Sequence, residues 1–211
     1  MRRAPWCGSR QSRKADLRTV LAGRSLTIML RLLVRLLIAL CLLLPLPALA
    51  GEAEDKAALD QLFVRLARAP DFATAQKLDR QIWSIWTSPS DPDLAARMLD
   101  VFEARDTRGL AIAIELLDQL VIDYPDYAEG WNQRATLYFM TGNYEASLAD
   151  CEKVLALEPR HFGALSGQAV VHLQMGRRDL ALKSMAAALA VHPFLNEAGL
   201  FPELNRPMTR I

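Results

Sequence analysis

The stretch Ala128-Glu129-Gly130-Trp131, continued by Tyr138, by Gly142-Asn143-Tyr144 and by Leu155-Ala156-Leu157-Glu158-Pro159, decides the fold, because the chain writes it twice. One period of 34 residues further on, Trp131 becomes Leu165, Ala135 becomes Ala169 and Tyr138 becomes His172. Gly142 becomes Gly176, Leu155 becomes Leu189 and Pro159 becomes Pro193. Trp131, Ala135 and Tyr138 recur at helical spacing and line one face of a first helix. Gly142 adopts a left-handed backbone without steric cost, so it ends that helix. Leu148, Val154, Leu155 and Leu157 give a second helix its apolar stripe. Small residues let the two helices approach closely: Ala135 and Ser147 in one copy, Ala169 and Ala181 in the next. Pro159 and Pro193 lack an amide hydrogen and bias the preceding residue away from helix, so each hairpin stops there.

A 34-residue period of Trp, Tyr, Gly, small residues and a closing Pro resembles the tetratricopeptide repeat family. The resemblance implies an all-α fold, a right-handed superhelical array of antiparallel helical hairpins. It also implies a protein-binding or scaffold role, with the first helices lining a concave groove that takes a peptide or protein segment. The chain departs from the family pattern at Arg134 and Gln168, where Leu is usual, and at Cys151 and Met185, where an aromatic or Leu is usual. These changes are expected to soften the packing. Trp131 is expected to wedge between the helices of its own hairpin and the preceding one. Carrying the family's inward positions onto this chain gives Met98, Phe102 and Arg105 in one hairpin. It gives Asn132, Thr136, Phe139 and Met140 in the next, and Ser166, Val170 and Gln174 in the last. The amide of Asn132 is the kind of group that binds a peptide backbone, since buried amides need partners.

Outward from the two clear copies, residues 94–127 fit the same frame in degraded form. Pro125 lies one period before Pro159, Ala113 one period before Ser147, and Arg108-Gly109 supplies the turn. Asp91 or Asp93 caps the first helix beside Pro92. Three repeats are therefore expected, 94–127, 128–161 and 162–195, within 93–195. Residues 51–92 lack the Gly and the closing motif and read as a diverged helical-hairpin cap. Its amphipathic pattern starts at Ala58 and breaks at Pro70-Asp71, with 51–57 as a flexible start. Trp83 and Trp86 are expected to pack between this cap and the first repeat. Residues 196–211 are too short for another hairpin. Repeat arrays need a terminal cap, and the tail's Phe194, Leu195, Leu200, Phe201 and Leu204 are expected to cover Leu182, Met185 and Leu189 as a short helical turn.

Residues 1–50 are of another kind. They hold nine of the 25 Lys and Arg and one of the 24 acids, which leaves 16 basic against 23 acidic side chains, a net of −7, for the remainder. A chain of that charge lacks the basic footprint of a nucleic-acid binder. Residues 1–28 read as a genuine basic extension or as an upstream start. From Met29, Arg31 and Arg35 precede an apolar run, Leu36 to Leu44, and Ala48-Leu49-Ala50 follows two prolines. That is the layout of a secretory signal cleaved after Ala50, which predicts a periplasmic or secreted protein without membrane insertion. The alternative is an inner-membrane anchor, which the run's length and its prolines disfavour. Cys7 and Cys41 lie in the leader, so Cys151 alone remains after cleavage.

No nucleotide-binding, serine-hydrolase or zinc-protease motif occurs, so neither a catalytic site nor a cofactor or metal site is expected. The competing reading is a metal-dependent or enzymatic envelope factor using His161 and His172, but no Cys or carboxylate stands at ligand spacing to both. Cys151 lies on an apolar stripe between Asp150 and Glu152, where burial and negative neighbours favour the neutral thiol. Asp150, Glu152 and Glu158 read as a solvated face interleaved with Lys153 and Arg160. A third reading is an array that oligomerises through its exposed end.

Overall fold

The computed structural model describes residues 47–205, together with Arg35. The basic extension, the apolar run and most of the signal layout lie outside the described residues. Between residues 47 and 191 eight α-helices follow in order: α1 (Pro47–Leu66), α2 (Phe72–Thr87), α3 (Pro92–Glu103), α4 (Leu110–Asp123), α5 (Ala128–Met140), α6 (Tyr144–Leu157), α7 (Phe162–Gln174) and α8 (Arg178–Val191). They form an all-α array of antiparallel hairpins. Two 3-10 turns, Asn196–Leu200 and Pro202–Asn205, follow α8.

The helix ends lie where local chemistry puts them. Asp91 caps α3, its carboxylate accepting from the amides of Asp93 and Leu94, with Pro92 in the first turn. Gly142 and Gly176 turn the α5–α6 and α7–α8 hairpins at φ 79° and 71°. At those angles a side chain would crowd the following carbonyl. Between α3 and α4 the turn is longer. Ala104–Arg108 forms a π-helical turn, and Gly109 reverses the chain at φ 99°.

Residues 51–57 are not a flexible start; they lie inside α1. Their Ala, Glu and Lys are good helix formers. The Asp55 carboxylate also accepts a hydrogen bond from the amide of Ser90 at 3.1 Å, which ties the helix to the α2–α3 connection.

Packing within the hairpins follows the small-residue pattern. Ala113, Ala135, Ala169 and Ala181 are buried, and the Ser147 hydroxyl donates to the Ala135 carbonyl at 2.8 Å. Trp131 packs on Ala135, Cys151, Val154 and Ala164. That cluster joins its own hairpin to Ala164 of the following one, and its indole N–H donates to the Pro125 carbonyl of the preceding one at 2.9 Å. At the far end, Phe201 is fully buried among Ala181, Met185 and Ala188. The Arg178 guanidinium lies 5.0 Å from its ring centre and pairs with Glu203.

Arg134 does not soften the array. Its Nε and Nη2 donate to the two oxygens of Asp150, each at 2.8 Å, and Nη1 donates to Asp118 at 2.8 Å. Its plane sits over Trp131 at 4.9 Å and Tyr138 at 5.6 Å. One side chain thus joins α4, α5 and α6. Hydrogen bonds to Asp150 hold the guanidinium above its usual range despite burial. Asp150 is 4 % exposed, so it belongs to this clamp and not to a solvated face.

Arg134→Leu restores the family residue but strands the buried Asp150 carboxylate, which should cost about 3–5 kcal/mol in urea unfolding. Arg134→Leu with Asp150→Leu should recover most of that loss. Equal destabilisation of the single and double variants would deny the clamp.

Candidate binding groove

Five of the ten residues expected to face a partner converge on one groove. Asn132, Thr136 and Phe139 on α5 and Ser166 and Val170 on α7 line a cavity of about 270 Å³. Ala135, Cys151 and Val171 contribute further wall, and Trp83 and Glu197 stand at the Gly163 end. Thr136 is exposed, Phe139 and Val170 are half-buried, and Ser166 is buried.

The other five lie elsewhere. Met98 is fully buried against Leu94 and Leu120, so this expected contact residue is core. α3 turns that side of its helix to α4, and an unbranched side chain fills the gap between them. Phe102 packs on the edge of the same cluster, with the Arg105 guanidinium 5.4 Å from its ring centre. Arg105 projects from the π turn and pairs with Asp106 at 2.8 Å. Met140 and Gln174 are exposed but outside the cavity wall.

Asn132 also needs correcting as a peptide-binding amide. It is 5 % exposed, and its side-chain amide donates to Glu129 Oε2 at 3.1 Å. Glu129, 1 % exposed, is the centre of a buried network. Gln133 donates to its other oxygen, and His161 Nε2 lies 3.0 Å from Oε2. His161 Nδ1 accepts from the Ala164 amide at 3.1 Å and caps α7, which leaves the ring proton on Nε2, directed at Glu129. Three donors on one carboxylate satisfy a group that would otherwise be costly to bury.

This network receives the N-terminal hairpin. The Trp86 ring stacks on the His161 ring at 3.9 Å with 8° between planes, and the Tyr127 hydroxyl donates to the Trp86 carbonyl. Burial and the neighbouring Glu129 charge push the Tyr127 phenol up. Trp83 meets His161 and Phe162 edge-on at 5.8 and 5.6 Å. The two tryptophans therefore pack chiefly on His161 and Phe162 at the start of α7, and the Trp86 carbonyl meets the first repeat at Tyr127. Leu62, Phe63, Leu66, Leu78 and Ile82 share a core with Phe162, and Val191, Phe194 and Leu195 lie against it. Arg160 adds a tie. It grips Glu158 with Nε and Nη2 at 2.9 and 2.8 Å, reaches Asp60 at 2.7 Å and covers Phe63 at 4.4 Å.

His161 and His172 are not brought together. They stand at opposite ends of α7, roughly 16 Å apart at 1.5 Å of rise per residue. Burial and the nearby Arg177 charge lower the His172 imidazole. No three His, Cys, Asp or Glu side chains gather as a metal site among the described residues. Cys151 is buried, and burial followed by the Asp150 and Glu152 charges pushes its thiol up to about 12, which makes it a poor nucleophile.

The tetratricopeptide repeat model matches residues 128–161. A TPR repeat-containing protein of Rhizobium etli is 37% identical over 160 residues, 71% of this chain and 78% of that protein. This chain belongs to the tetratricopeptide repeat family. Among solved structures, a point mutant of MamA aligns with a TM-score of 0.44 at 14% identity, over 65% of the TPR chain and 96% of its own. A second MamA structure aligns with a TM-score of 0.43 at 16% identity, over 70% and 95% of the two chains. In this TPR protein the family's inward second position holds Glu129 in one hairpin and Gly163 in the next. The pairing of Glu129 with His161 carries no local signal, because the two stand 32 residues apart.

Two outcomes follow from the hairpin's seat. A Cβ at Gly163 would lie 2.7 Å from the Trp83 ring. Gly163→Ala should therefore shift tryptophan emission and cost about 1–3 kcal/mol, and Trp83→Phe in the same chain should relieve part of it. Glu158 gives the second. Burial draws its carboxyl up, but hydrogen bonds from Arg160 outweigh this and hold it below the usual range. Because the folded value is the lower one, the tie stabilises at neutral pH and is lost as pH falls through that depressed value. The gap in urea midpoint between wild type and Glu158→Gln should be widest at about pH 7 and close towards about pH 3.

Proposed function

We propose that the chain is an exported protein-interaction module that holds a segment of a partner protein in the groove between α5 and α7. The observation that carries this is the cavity itself. The inner face is filled near the starts of α5 and α7 by the N-terminal hairpin, while Thr136, Phe139 and Val170 still line open space. Apolar walls with a few hydroxyls suit a peptide segment, whose side chains fill the walls and whose backbone meets the polar groups. The net of −7 beyond residue 50 disfavours nucleic acid.

Export rests on the sequence of residues 29–50. Ala48-Leu49-Ala50 falls in the first turn of α1, so cleavage after Ala50 leaves a helix that starts near Gly51. No described helix is long and apolar enough to cross a membrane.

Photo-crosslinking side chains placed at Thr136 and Val170 in living cells should capture a defined protein, and one at Ile122, exposed on α4, should not. Equal capture from all three positions would move the binding surface off the groove. The captured material should carry a chain that begins at Gly51. A chain that keeps residues before Ala50 and sediments with membranes would contradict processing.

A further inference from the structure

A second cavity of about 170 Å³ opens between α2 and the segment after α8. It shares Trp83, Gly163, Ser166 and Glu197 with the groove. The two cavities therefore adjoin, and Trp83 and Glu197 line both. We propose that they are compartments of one channel, which takes an extended peptide carrying an apolar side chain close to a lysine or arginine. This rests on the groove reading above and names the chemistry of its ligand.

The compartments differ in character. The larger has Phe139, Val170, Val171 and Ala135 in its wall, and Glu197 at the junction is its single charged residue. It suits a branched aliphatic or aromatic side chain. The smaller holds two carboxylates, Asp79 and Glu197, and no Lys or Arg lines it. Glu197 has no hydrogen-bond or ion-pair partner among the described residues. Asp79 faces His192 Nε2 at 3.5 Å. His192 Nδ1 accepts from the Phe194 amide at 3.2 Å, which directs the Nε2 edge of the ring at Asp79. Phe72 and Phe194 line the same space beside the two carboxylates.

Two like charges in such a recess attract a cation more strongly than they would in open water. A Lys or Arg side chain suits the place, because its stem lies along the phenyl rings while its head reaches the carboxylates. An acidic segment would be repelled there. A wholly apolar segment would desolvate Asp79 and Glu197 without pairing them. The acidic charge of the chain beyond residue 50 favours the same partner from a distance.

Randomised synthetic octapeptides are screened against the full chain, and those enriched are measured by fluorescence anisotropy. Enriched sequences should place Leu, Ile, Val or Phe near Lys or Arg. Replacing that Lys or Arg by norleucine should weaken binding about tenfold, and Glu197→Gln should produce a similar loss for the basic peptide and little for the norleucine one. Asp79→Asn serves as the second variant, with circular dichroism to verify its fold. Enriched peptides without a basic residue, or basic peptides indifferent to both variants, overturn the proposal. If Val170→Asp still abolishes binding in that case, the groove reading stands alone. Peptide binding unaffected by Val170→Asp, or no binding by any peptide, overturns both.

Discussion

A carboxylate with almost no exposure to water holds the array together where its parts meet. Glu129, on the first turn of α5, accepts from Asn132, Gln133 and His161. Through His161 it reaches the start of α7, and through the Trp86 ring stacked on that imidazole it reaches α2. A buried carboxylate tolerates no loose arrangement, because each donor that moves away leaves charge uncompensated. The position of the N-terminal hairpin follows from this. It is set by a flat ring contact over a fixed imidazole, and Tyr127 and Arg160 pin it from either side. The groove is what this seating leaves open.

The clamp of Arg134 on Asp118 and Asp150 has the same logic one layer away. A repeat protein in which each hairpin touches its neighbours gains stability from every interface that is made specific. Where the family uses Leu, this chain uses a guanidinium between two acids and two aromatic rings. The longer side chain adds directional hydrogen bonds where Leu would only pack. It also makes the two positions interdependent, since the acid at 150 is tolerable only with the base at 134.

The helices were legible in the sequence because their causes are local: a period of 34, glycines at the hairpin turns, a proline after each pair. Phe201 as the cover of the last hairpin was legible for a related reason, since a terminal face must be closed by whatever apolar residues remain. The polar centre was not. Glu129 stands at an inward position and His161 at a repeat end, and nothing pairs them until the fold brings residues 32 positions apart to 3.0 Å. Of the expected inward positions, Asn132, Thr136, Phe139, Ser166 and Val170 line one cavity between α5 and α7, while Met140 and Gln174 on the same helices do not. On α3 the packing of Leu94 and Leu120 around Met98 places it in the core. Residues 51–57 misled because their polarity is that of a flexible segment, and the hydrogen bond from Ser90 that helps hold them is a tertiary contact.

Native-state hydrogen exchange on Glu129→Leu tests most directly whether one buried carboxylate seats the hairpin on the array. The variant removes the acceptor of three donors and should loosen α2 and the first turn of α7 together, with amides from Phe72 to Thr87 and near Ala164 losing protection by a similar factor. Loss of protection at α7 with α2 unchanged would show that the hairpin is held independently of Glu129, and would contradict the account.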